Sequence, residues 1–137
     1  MNKTPTTKMA MIVRLHTDFA SAEEQVTNAL KAEGFGVLTE IDVKDTLKKK
    51  INVDFRPYKI LGACNPALSY RALEIEPAVG LLLPCNVTLS QEAENEVEVA
   101  IMDPILMMSF VPDARIKTVA EEARQKLERV ATSLQQG

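Results

Sequence analysis

One histidine and two cysteines leave this 137-residue chain poorly supplied with the side chains that hold metals or staple small folds. His16 has no cysteine or carboxylate at metal-ligand spacing, and the cysteines form no CxxC motif, so neither a metal site nor a cofactor is expected. No apolar run approaches the length of a membrane-spanning helix, and the opening MNKTPTTKMAMIVRLH lacks the uninterrupted apolar core of a signal peptide. The expectation is a cytoplasmic protein without membrane contact, its cysteines reduced. A net charge of −3, with basic residues scattered except at Lys48-Lys49-Lys50, gives no general attraction for nucleic acid. Repeats, low-complexity tracts and linkers are also missing, which leaves one domain over 1–137.

What is present suits a globular fold. Apolar residues make up 46% and charged residues 26%, and a chain of this length can bury roughly 65–70% of its unfolded surface without disulfide or metal. Met9, Met11, Val13 and Leu15 alternate as a first strand, expected well inside the sheet. Ser21-Ala22-Glu23-Glu24 has capping-box spacing and predicts a helix start at Ser21, with Gly34 as its left-handed end. Val37 to Val43 alternates as a second strand, followed from Asp42 or Val43 by a short helix through Leu47 and Ile51. Tyr58 to Cys64 and Leu81 to Leu89 are the next strand candidates. Glu96 to Met102 then completes a hairpin, with Val97, Val99 and Ile101 on one face and Glu96 and Glu98 on the wet one. Asp113 caps a long final helix over 113–135, whose Ile116, Val119, Ala120, Ala123, Leu127, Val130, Ala131 and Leu134 recur at helical spacing. The pattern describes a two-layer α+β fold, a mostly antiparallel sheet with helices on one face.

The stretch Gly62 to Asn86 carries both cysteines, first as Cys64-Asn65-Pro66 and then as Pro84-Cys85-Asn86. Asn65 is a good N-cap, and Pro66 suits the first helical position, where its missing N–H would have lacked a partner. The helix turns Leu68 and Ala72 inward with Leu73 or Ile75, and stops at Glu76 before Pro77. In functional terms, Cys64 lies beside the N–H groups of Ala67 and Leu68, which would activate a thiol or receive an anion. Cys85 shares the parity of Leu81, Leu83, Val87 and Leu89 and reads as a small core residue, while Pro84 marks an irregularity or unpaired edge. Met107, Met108 and Phe110 are core filler or an adaptable contact surface.

Leu61-Gly62-Ala63-Cys64-Asn65-Pro66, Tyr70-Arg71-Ala72-Leu73-Glu74, Gly80-Leu81-Leu82-Leu83-Pro84-Cys85-Asn86 and Asp103-Pro104 together resemble the bacterial and archaeal family known as domain of unknown function 302, over about Phe35 to Phe110. The resemblance implies a compact domain with a curved antiparallel sheet and a long C-terminal helix, often dimeric. It implies no established reaction.

Three functions compete on this reading. The first is a homodimeric binding or sensing domain for a small-molecule or anionic ligand, with Cys64, Asn65, Tyr70, Arg71, Cys85 and Asn86 as site residues. The second is a thiol-dependent redox or soft-metal protein using Cys64 with Cys85. The third is a purely structural homodimer.

Overall fold

The computed structural model describes residues 9–136, so the opening segment read for an export signal lies, up to residue 8, outside the described part. Five antiparallel strands form one sheet in the order β1-β5-β4-β3-β2: β1 Ala10–Leu15, β2 Gly36–Asp42, β3 Tyr58–Cys64, β4 Cys85–Ala93 and β5 Glu96–Met102. The helices are α1 Phe19–Ala32, α2 Val43–Ile51, α3 Pro66–Ile75, α4 Pro104–Met107 and α5 Ala114–Gln136, with 3-10 turns at Pro77–Leu82 and Met108–Phe110. The α+β expectation is met. Among the described residues no helix is long and apolar enough to cross a membrane.

Period-two alternation sends one set of side chains from each strand toward the helices. Val13, Leu15, Leu61, Ala63, Val87, Leu89, Val97, Val99 and Ile101 are all buried there. Helix α1 meets them with Ala22, Val26 and Leu30, and the C-terminal half of α5 with Leu127, Val130 and Leu134. The N-terminal half of α5 instead turns Ile116, Val119, Ala120 and Ala123 toward a second core, shared with Leu68 and Ala72 of α3 and with Met107 and Met108. One amphipathic stripe thus closes two cores. Ion pairs brace its surroundings: Arg129 Nε lies 2.9 Å from Glu33 Oε1 at the end of α1, and Lys59 Nζ lies 2.9 Å from Glu23 and 2.7 Å from Glu40. Hydrogen bonds to Glu40 and then Glu23 hold the Lys59 ammonium well above its ordinary pKa.

Three expectations need correction. Among the described residues strand β1 pairs only with β5, which makes it an edge strand; its apolar face is buried by the helices, not by flanking strands. Helix α1 begins earlier than the capping box at Ser21 implies, because Asp18 caps it: Asp18 Oδ1 accepts from Ser21 N at 2.8 Å and Oδ2 from Ser21 Oγ at 2.9 Å. Ser21 is therefore a donor to the cap, and these bonds depress the Asp18 pKa. The fourth strand begins at Cys85, not at Leu81. Glu76 Oε2 accepts from Ala78 N at 2.9 Å and starts a capped turn at Pro77, which carries Leu81 out to 89% exposure.

Leu127 is completely buried where α5 crosses the sheet. Leu127→Ala is expected to lower the unfolding free energy by about 2–5 kcal/mol in urea titrations; a loss under about half a kilocalorie would remove α5 from the core.

Candidate functional site

The Cys-Asn-Pro segment is first a structural junction. Asn65 Oδ1 accepts from Leu68 N at 3.2 Å and caps α3, while Asn65 Nδ2 donates to the Glu33 carbonyl at 3.4 Å, at the end of α1. Gly34, at φ +85°, follows that carbonyl, and a Cβ placed there would stand 2.9 Å from Asn65 Nδ2. Asn65 therefore joins the end of one helix to the start of another, and only a glycine leaves room for it in that left-handed turn. One of the two N–H groups expected to face Cys64 or an anion, that of Leu68, is already taken by Asn65.

Cys64 ends β3, half-buried, its Sγ 3.2 Å from Ser69 Oγ. Cys85 opens β4 opposite Ala63, buried on the helix side, and the two sulfurs are free thiols. Burial, and secondarily the neighbouring Cys64, push the Cys85 thiol up to about 11. Beside it lies a cavity of about 30 Å³, bounded mainly by Leu68, Ala72, Met108, Ile116 and Ala120, with Asn65 and Ser69 among the few polar groups on its wall. Among the described residues no three His, Cys, Asp or Glu side chains gather as a metal site.

The other three expected site residues lie apart. Arg71 Nη1 and Nη2 grip Glu122 of α5 at 3.0 and 2.6 Å on the surface, which raises the Arg71 pKa and lowers that of Glu122. Tyr70 is exposed to solvent. Asn86 pairs with Gly62 and lines the sheet face opposite the helices. Thus Cys64, Asn65 and Cys85 gather around the α3 entry, Asn86 belongs to a different face, and Tyr70 and Arg71 stand on the outside of α3.

That open face carries a groove of about 550 Å³. Thr88 on β4 stands opposite Ala100 on β5, which in turn stands opposite Ile12 on β1, and these three make its floor. Its rim includes Tyr58, Leu83, Pro84, Met102 and Met9. The floor is lowest at Thr88 and Ala100, where the side chains are small, and larger side chains stand around them. Gly62 lets Thr39 and Pro84 close over β3: a Cβ there would collide with Thr39 Oγ1 and come within 2.7 Å of Pro84 Cγ. Sequence reading missed this site. Its signal was the wet-face parity of Glu96 and Glu98, which runs on into Ala100 and Met102.

The thiols differ in access, so iodoacetamide is expected to label Cys64 in the native protein while Cys85 stays protected until unfolding. The folded Cys85 thiol keeps its proton to about pH 11, whereas its unperturbed value is 9.0. The native state therefore binds more protons between these values, and stability is undiminished below pH 9 but falls as pH rises toward 11. Cys85→Ala should flatten that fall relative to the wild type; native labelling of Cys85 first, or an unchanged alkaline profile in the variant, would contradict the placement.

The family described as Domain of unknown function DUF302 matches residues 11–134, a wider span than the cysteine-centred stretch that carries the resemblance. In the crystal structure of an uncharacterized conserved DUF302 protein from Bacillus stearothermophilus the same fold recurs with a TM-score of 0.83 at 28% identity, covering 91% of this chain and 97% of that one. No curated protein matches the chain significantly. With its sheet, its closing helix and nearly its whole length accounted for by that match, the chain belongs to the DUF302 family.

Proposed function

We propose that this chain is a homodimeric, cytoplasmic small-ligand binding or sensing domain whose site is the groove on the open face of the sheet. The observation that carries this reading is the groove itself. Its volume of about 550 Å³ falls within the roughly 300–1,000 Å³ of small-molecule sites, and its wall is mostly apolar with a few polar groups. Those groups are Tyr58, Asn86 and Thr88, all neutral, while the one carboxylate, Glu98, is engaged by Arg14 at 3.0 Å. A flat, neutral amphiphile fits this chemistry better than an anion. The α3 entry has less to offer an anion, since Asn65 fills part of it.

Support for the dimer comes from the β2–α2 margin. Helix α2 has no buried residue, and Leu38, Ile41, Ile51 and Val53 are exposed at 69%, 50%, 63% and 42% beside an unpaired strand edge. Met107 and Met108, which the sequence also offered to an interface, are occupied in the second core. Two free thiols support a reducing compartment.

Nile red, a flat neutral dye, is expected to bind saturably with a rise in fluorescence. Ala100→Arg should weaken that binding at least tenfold, on the order of 1.4 kcal/mol, while Ala100→Ser retains it. Equal affinity in the arginine variant would refute the site. In sedimentation equilibrium the wild type should dimerise at micromolar concentration and Leu38→Lys with Ile51→Lys should shift it to monomer; a monomeric wild type would refute the dimer.

A further inference from the structure

Ends of β3, β4, β5 and β1 meet at one end of the sheet. Cys85 opens β4 opposite Ala63 near the end of β3, and Met102 closes β5 opposite Ala10 at the start of β1. Around that end the groove on the open face and the cavity on the helix face come together, and two side chains, Leu83 and Met107, line both. Leu83 precedes the first residues of β4, and Met107 is the last residue of α4, so these two side chains stand between the spaces, with Leu82 and Met102 packed beside them against the second core.

The far side of that partition is built to yield. Ala63, Ala72, Ala120 and Ala123 bound the cavity, and Met107 and Met108 face them. Alanines provide room, and methionine, unbranched with three rotatable bonds, is the apolar side chain that most readily changes the shape of its surroundings. At rest the cavity of about 30 Å³ has space for little more than a water, yet its wall is almost wholly apolar. The groove side differs, with its hydrogen-bonding groups Tyr58, Asn86 and Thr88.

Resting on the groove reading above, we propose that groove and cavity are two parts of one site for a neutral amphiphile: a hydrogen-bonding head against Asn86 and Thr88, and an unbranched alkyl tail that displaces Met107 and passes beside Leu83 into the space between α3 and α5. The ligand class is therefore a medium-chain primary amide, alcohol or similarly uncharged single-chain molecule. A rigid ring system would find the groove but not the cavity, because the partition opens by side-chain rotation only.

The test is a titration of the full chain, with its methionine methyl groups and backbone amides isotope-labelled, by butanamide, hexanamide, octanamide and decanamide. All four should shift the amide signals of Asn86 and Thr88. Beyond hexanamide the methyl signals of Met107 and Met108 should move as well, and affinity should rise about fourfold per added methylene, the increment for burying one such group. Filling the cavity with Ala120→Leu should leave butanamide affinity unchanged and abolish the gain with length; Ala72→Val serves the same purpose if Ala120→Leu does not fold. Shifts at Asn86 and Thr88 without any gain with length, or with still Met108 signals, would overturn the tail pocket and leave the groove standing. Binding of none of the amides, together with failure of the Nile red test, would overturn both.

Discussion

The structure depends on covering one face of a five-stranded sheet and leaving the other bare. Strands β1, β5, β4 and β3 each bury the side chains of a single parity beneath α1 and α5, and Val87, Leu89, Val97 and Val99 at the centre are fully buried. Each fully buried side chain of this size contributes about 1.5–3 kcal/mol of transfer free energy, so the alternating strand and the helical stripe select each other. The alternate parity has no helix to meet. It carries Ile12, Thr88 and Ala100 across a concave floor, and the rim residues make that floor a site-sized groove. Helix α5 is the element that keeps both arrangements in place, because its two halves close the main core and the second core in turn.

The two cysteine motifs serve different ends. Cys-Asn-Pro is chain punctuation in its middle residue, since Asn65 caps α3 and holds the end of α1 through Glu33. The same device recurs twice: Glu76 caps the turn begun by Pro77, and Asp103 Oδ1 accepts from Ile105 N at 2.9 Å ahead of Pro104. Pro-Cys-Asn is instead a point where the chain divides its side chains between two faces. Cys85 faces the inner cavity and Asn86 the outer groove, with Pro84 packed over Gly62 on the rim.

Much of this was legible in the residues. The limits of β3, the Asn65 cap, the inward positions Leu68 and Ala72, and the stripe of α5 follow from local rules of parity, capping and helical period. The failures arise where two local signals compete or where the answer is not local. Asp18 and Ser21 both suit an N-cap, and the carboxylate prevails by accepting two hydrogen bonds from the serine. Leu81 alternates correctly for a strand, but the Glu76-capped turn takes it first. The edge position of β1 depends on strand order, which alternation does not encode. The groove is less legible still, because its floor residues Ile12, Thr88 and Ala100 come from three strands brought into register, and no single segment carries it. Tyr70 and Arg71 drew notice as polar residues near a motif, yet helical geometry turns them outward, one to solvent and one to Glu122.

The most direct test of a sheet with one covered and one free face is the relaxation of side-chain methyl groups by a neutral gadolinium chelate in the ligand-free protein. Strong broadening is expected for Ile12, Thr88 and Ala100, and little for Val13, Val87 and Val99, which lie next to them in the strands but point to the helices. Equal protection of both sets would show that the open face is buried in solution, and would contradict the account of the groove.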